Sequence, residues 1–146
     1  MAEKSWAVGE VLSSSDLNVW ALPLVGVKSA NQTIISQTSL VNDADMRFAM
    51  AASALYQFQA FVRYDSGTGQ DIKFSFSVPA GADARYSCLR KKPDATFGSD
   101  GEFGAADTLA AYGEGVGTLA TATLHGIAYT TTTAGNLIFQ WAQNVS

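Results

Sequence analysis

Three features of the chain predict an all-β fold: an antiparallel β-sandwich, or a jelly-roll or barrel, of about seven to eight strands. Asp71 to Val78 alternates cleanly, with Ile72, Phe74, Phe76 and Val78 on one side and Asp71, Lys73, Ser75 and Ser77 on the other. That is the period of a half-buried antiparallel strand. Short apolar segments elsewhere are separated by turn chemistry, as in Asp65-Ser-Gly-Thr-Gly69, Pro79-Ala-Gly81 and Gly113-Glu-Gly-Val-Gly117. The strongest strand, Gly135 to Asn144, is almost the last segment of the chain. Leu137, Phe139 and Trp141 share one of its faces, and Asn136, Ile138, Gln140 and Ala142 the other. A large apolar strand at a terminus must be paired on both sides or leave an open edge. The pattern therefore points to a closed or partner-completed β structure, and to assembly rather than chemistry.

The elements divide into an N-terminal arm, 1–24, and a β domain, 25–146. In the arm, Trp6 to Glu10 reads as extended, and Ser13-Ser-Ser-Asp16 offers a helix cap with an acid in the first turn. Leu17, Trp20 and Ala21 follow at helical spacing until Pro23. One or two helical turns are too few to be stable without packing on something else. Trp6, Val11, Leu12, Leu17 and Trp20 are the anchors for such packing, either on their own domain or on a neighbouring subunit.

In the β domain, Thr33 to Gln37 reads as a short β-branched strand and Asn42-Asp-Ala-Asp45 as a turn. Met46 to Ala49 and Leu55 to Tyr64 are strands. The second carries aromatics on both faces and so reads as covered on both. Arg85 to Arg90 is a further strand, and Pro93 to Ala106 a long loop with Phe97 and Phe103 as anchors. Thr108 to Tyr112 is open between strand and helical turn. Thr118 to Thr130 is a strand in which Leu119, Leu124, Ile127 and Tyr129 alternate imperfectly, with Gly126 as a bulge.

Composition narrows the function. Of 146 residues 47% are hydrophobic, enough for a core, and only 15% are charged, against ~25% in ordinary soluble domains. Few charges on a chain of this size fit a surface hidden in an assembly. A net charge of −4 leaves no electrostatic footprint for nucleic acid or an anionic membrane. The basic run Arg90-Lys-Lys92 precedes Pro93 and Asp94 and reads as a solvated loop. The start of the chain lacks the pattern of a signal peptide, and no stretch has the ~20 apolar residues of a membrane span. Cys88 is the sole cysteine, so it reads as a small buried side chain.

No catalytic residue, cofactor site or metal site is expected. His125 is the sole histidine, and no G-x-S-x-G elbow accompanies it. It reads as a structural histidine. One His and one Cys do not make a zinc site. Asn42 to Asp45 resembles part of a calcium loop but lacks the glycine and distal glutamate. Gly113-x-Gly-x-Gly117 lacks the Lys-Ser/Thr of a phosphate loop and reads as a turn. Nothing in the pattern brings Glu102, Asp107 and Glu114 together as glycosidase carboxylates.

Several runs together resemble a family of small virion proteins of tailed bacteriophages. They are Val27-Lys-Ser-Ala-Asn-Gln-Thr33, Leu40-Val-Asn-Asp43, Met46-Arg-Phe48, Tyr56 to Tyr64, Asp71 to Gly81, and the closing Ala134 to Asn144 with its Gln-Trp-Ala-Gln. Gly9-Glu-Val-Leu-Ser-Ser-Ser-Asp-Leu-Asn18 is also similar to a G-x-x-L-(S/T)-x-x-x-L-N segment near the start of phage fibre and structural proteins. The resemblance covers patches of 8–144. It implies a trimeric, jelly-roll-like virion protein with no catalytic residues and no cofactor. The expectation is a capsid decoration protein at the capsid surface: a homotrimer bound to the major capsid protein, with the arm residues as interface anchors. The alternative is a tail-fibre or tail-tip module that contacts the host surface. In the family pattern a short Ser/Thr-rich strand follows Gln-Trp-Ala-Gln, whereas this sequence ends at Ser146. Val25 to Gln37 is therefore expected to pair with the last strand inside the subunit, leaving Trp141 near a subunit interface.

Overall fold

The computed structural model describes residues 25–92, 94, 96–99 and 101–145. The predicted arm and its anchors lie outside the described residues. Within them the chain is all-β, with nine strands and no helix. The strands are β1 (Val41–Met50), β2 (Leu55–Asp65), β3 (Ile72–Ser77), β4 (Asp83–Lys91), β5 (Phe97–Ser99), β6 (Phe103–Gly104), β7 (Leu109–Ala111), β8 (Leu119–Tyr129) and β9 (Gly135–Gln143). One sheet has the order β1-β9-β3-β7 and the other β2-β8-β4-β5, with β6 also on β4.

The pairing is nested and antiparallel throughout. The innermost pairs are β4 with β5 and β6. Outside them β3 pairs with β7, β2 with β8, and β1 with β9. Rolling this long hairpin over itself joins β3 to β9 and β4 to β8, which is the winding of a jelly roll. The terminal strand is thus held on both sides within one chain.

The core fills the space between the sheets. Phe74, Phe76, Leu137 and Phe139 come from the first sheet, and Phe58, Val62, Tyr64, Tyr86 and Leu124 from the second. Edge-to-face rings bridge the sheets: Phe58 to Phe76 at 4.9 Å, Phe76 to Tyr86 at 5.0 Å and Tyr64 to Phe74 at 5.6 Å. Central β8 gives this core mainly small residues, with Ala120, Ala122 and Ala128 buried beside Leu124. Small side chains there leave room for the large rings, as a narrow two-sheet core requires.

Both buried phenols have defined partners. The Tyr64 hydroxyl donates to the Tyr112 carbonyl at 2.8 Å, and the Tyr86 hydroxyl to the Asp107 carbonyl at 3.0 Å. Burial is the main cause that pushes each phenol up to about 12 from 10.0. A raised value in the folded state stabilises the fold fully below pH 10.0 and loses that contribution as pH rises towards about 12. We expect Tyr64 and Tyr86 to ionise only together with alkaline unfolding. Tyrosinate absorbance and circular dichroism, recorded on one titration, check this.

Several sequence expectations are corrected. Thr33 to Gln37 is not a strand, and it does not supply the partner of the last strand. That partner is β1, and Gln37 makes only a local contact: its amide donates to Gln143 Oε1 at 3.2 Å, and the Gln143 amide donates to its carbonyl at 3.0 Å. Asn42 to Asp45 is not a turn between strands but a bulge inside β1. Asn42 faces Gln140 and Arg47 faces Ile138, so β1 takes five steps (42 to 47) where β9 takes two (140 to 138). The Asx chemistry is real, because Asp43 Oδ1 accepts from the amides of Asp45 and Met46, each at 3.0 Å. The loop after Pro93 contains β5 and β6, and the ambiguous segment 108–112 is a strand, β7. Arg90 to Lys92 is not a solvated loop. Arg90 is a buried residue of β4, and Lys91 pairs with Glu114 at 2.9 Å and sits 4.7 Å from the centre of the Tyr112 ring.

The β1 bulge is clasped by the segment before it. Lys28 Nζ reaches Asp43 Oδ2 at 2.7 Å, the Ser29 amide donates to Asp45 Oδ2 at 2.9 Å, and the Ala44 amide donates to Gln32 Oε1 at 3.3 Å. Burial alone would push the Asp43 carboxyl up. The Lys28 hydrogen bond, the Met46 and Asp45 amides and the Lys28 charge outweigh burial and hold it below 3.8. A lowered folded value stabilises the fold above the ordinary carboxylate range, and that contribution is lost as pH falls through the folded value. Asp43→Ala is expected to cost about 1–3 kcal/mol at neutral pH. In urea melts its deficit relative to the parent shrinks as pH drops below 3.8.

Candidate interaction surface

The edges of β1 and β2 are joined through residues 51–54 and are protected differently. The edge of β1 is bulged and fastened by Lys28, Ser29 and Gln32. Among the described residues β2 has no such device: its register against β8 is unbroken from Leu55–Tyr129 to Asp65–Leu119. Among the described residues, no strand pairs with its other side. A long, regular, partly apolar edge strand is a template for adding another strand.

The outward residues of β2 continue into the outer face of its sheet. Phe61 faces Thr123, which faces Leu89. Gln59 faces His125, which faces Ser87, and Leu55 faces Tyr129, which faces Asp83. Leu55 and Phe61 are 66% and 68% exposed, and Leu89, Leu119, Ile127 and Tyr129 are exposed as well. The expectation that β2 is covered on both faces is corrected: its inward face is core and its outward face is open. Arg63 and Asp65 are exposed at the far end of the same row, and the charges further along the face are paired. Arg85 Nε bonds Asp83 at 2.7 Å, and its guanidinium lies 3.5 Å from Glu102.

His125 lies on this outer face, exposed, with Nε2 2.8 Å from Ser87 Oγ. It borders a shallow groove lined by Arg85, Ser87, Glu102 and Ile127. A hydroxyl beside an imidazole is the beginning of a nucleophilic pair, which also needs a carboxylate to orient the ring and donors for an oxyanion. The nearby carboxylates, Asp83 and Glu102, are engaged with Arg85. The pair forms a polar hydrogen-bonding strip between the apolar residues of the outer face.

The other candidate residues fall in separate places. Gly126 is not a bulge, because the register runs through it on both sides. It lets β4 approach: a Cβ there would meet the Arg85 carbonyl oxygen and lie 2.8 Å from Tyr86 Cα. Glu102, Asp107 and Glu114 have different partners, respectively Arg85, the Gly104 amide and Lys91. Gly113 to Gly117 is a loop end packed on 65–71, where the Gly113 amide donates to Asp71 Oδ1 and the Gly117 amide to the Asp65 carboxylate. Positive φ at Gly115 and Gly117 explains two of its glycines. Cys88 is buried, as expected. Trp141 is partly buried and packs against the core from β9. Among the described residues no cluster of His, Cys, Asp and Glu could hold a metal ion, and no helix is long and apolar enough to cross a membrane.

Comparison with protein-family models, with curated proteins and with solved structures finds no match to this chain.

Sequence reasoning missed the outward row of β2. The signal was there in Gln57 and Gln59, two neutral amides in register with Leu55 and Phe61. Such alternation belongs to a half-exposed strand face.

Proposed function

We propose that this chain is a bacteriophage virion structural protein, a capsid decoration protein that binds the outer surface of the shell and reinforces it. The observation that carries this reading is the open face around β2: exposed Leu55, Phe61, Leu89, Leu119, Ile127 and Tyr129 set among Gln, Thr and Ser, with few charges, of which Arg85 is paired to Asp83 and Glu102. Such a surface suits protein contact, because interface cores are depleted of charge and enriched in aromatics. The resemblance of scattered runs to small phage virion proteins supports it, as does the low charge of the whole chain. In this reading the protein is a homotrimer on the major capsid protein. Trp6, Val11, Leu12, Leu17 and Trp20 anchor its arm, and the exposed part of Trp141 lies near the subunit interface. Repeating a standard interface of ~1,600 Å² over many copies stabilises a shell without chemistry.

A second reading, a tail-fibre or tail-tip module, draws on Phe97, which stands exposed on β5 where a sugar ring could stack. Copy number separates the two. Band intensities from purified virions are expected to give hundreds of copies per particle; a handful would place the chain in the tail and overturn the decoration reading.

A further inference from the structure

We propose that two copies of this chain join edge to edge through β2, antiparallel about a two-fold axis at Phe58, so that their second sheets run on as one. The contact goes beyond the capsid reading and does not rest on it.

The edge can take a further strand. β2 runs for eleven residues with no shift in register against β8, and among the described residues no strand pairs with its other side. Main-chain groups on such an edge can bond an extended strand of any sequence, so alternate side chains choose the occupant. The outward row reads Leu55, Gln57, Gln59, Phe61, Arg63 and Asp65, all exposed.

The first four of these fit a second copy of themselves. Apolar, amide, amide, apolar is a palindrome about Phe58, and a two-fold axis sets each position of an antiparallel edge opposite its mirror position. Leu55 then faces Phe61 of the other copy, and Gln57 faces its Gln59, each pair occurring twice. Side chains directly opposite in such a ladder touch. The apolar pairs cover the residues that are 66% and 68% exposed, and each amide can both donate to and accept from its neighbour. On the inward side half-buried Tyr56 meets the small Ala60. Arg63 and Asp65 fall outside the paired stretch, so no charge is covered. Neighbouring registers lose this match. Centring on Gln59 sets Leu55 against Arg63 and Phe61 against Gln57, and centring on Ala60 sets Leu55 against Asp65. Centring on Phe61 leaves Leu55 unpaired and lays the amides over both charges. A single strand edge is small beside the ~1,600 Å² of a standard interface. The pair therefore dissociates on dilution and closes where copies are held close together.

The test uses the full chain with added single cysteines, Cys88 being buried. Opposite Cα atoms in an antiparallel pair are about 4.5–5.5 Å apart, within the reach of a disulfide. Leu55→Cys mixed with Phe61→Cys is expected to give disulfide-linked dimers under mild oxidation, because the remaining Leu55 and Phe61 still face each other. Either chain alone should give few, since the cysteines of two such copies stand ~20 Å apart, six residues at ~3.4 Å. Gln57→Cys with Gln59→Cys should repeat the result. In sedimentation equilibrium the parent's mass is expected to rise with concentration to at least twice that of Phe61→Lys, whose far-ultraviolet circular dichroism stays unchanged. Where Phe61→Lys loses its fold, the cysteine mixtures decide. No mixed disulfide at high concentration, as when another segment already covers the edge, would overturn the proposal. Equal yields from single chains and mixtures, or a parent mass equal to that of folded Phe61→Lys at every concentration, would do the same. Mixed disulfides in a chain present in only a handful of copies per virion would sink the decoration reading and leave this contact standing.

Discussion

Phe76→Ala is expected to lower the unfolding free energy by about 3–5 kcal/mol. Phe76 is 3% exposed, and its ring meets Phe58 at 4.9 Å, Tyr86 at 5.0 Å and Phe139 at 5.6 Å. Phe58 and Tyr86 belong to the opposite sheet, so truncation opens a cavity where the two sheets meet. A domain of this kind has only about 5–15 kcal/mol in total, and the variant should be close to unfolded at modest urea concentrations. Phe61→Ala is the control. Its ring is exposed on the outer face of β2, and its loss should move stability by no more than ~0.5 kcal/mol. Urea denaturation of the two variants beside the parent gives the comparison; equal losses would mean that the outward face of β2 is assigned wrongly.

Gly126→Val is expected to be about as damaging, by the opposite mechanism. β8 is paired on both sides, to β2 and to β4. A side chain at 126 would be driven into the Arg85 carbonyl and against Tyr86 Cα and Cβ, both 2.8 Å from its first carbon. Neither strand has space to retreat, so β8 and β4 must part and ladder hydrogen bonds break. Overpacking of this severity costs about 3 kcal/mol. Gly126→Ala should show the same sign at smaller size. Gly101→Ala, where an added Cβ meets nothing within 4 Å, should be neutral. Thermal melts of the three variants read this directly.

These two residues also illustrate what the sequence makes legible. Phe76 sits in a segment with strict alternation, and its inward side can be read from the pattern of Ile72, Phe74 and Phe76 alone. β9 is equally plain. Gly126 could be recognised as special but not explained, because what it accommodates is the backbone of β4, distant in sequence. β8 as a whole was read imperfectly for a related reason. Its inward residues are mostly small and its outward ones include Leu119, Ile127 and Tyr129, so size misleads where the opposite sheet supplies the bulk. The Asn42 to Asp45 segment shows a third cause. Its carboxylates do satisfy local amides as in a turn, yet the chain continues as a strand because Lys28 and Ser29 arrive from outside to hold the bulge. The edge position of β2 depends on which strands pair, and no local pattern contains that. The open surface therefore became visible only with the topology.

The central claim is that the face around β2 and the arm serve assembly on a capsid. Electron cryomicroscopy of virions carrying this protein tests it most directly. The account predicts density for the two-sheet domain repeated over the outer shell, clustered in threes, with the outward row of β2 covered by protein. Density confined to the tail, or shell-bound copies whose β2 face is bare to solvent, would contradict it.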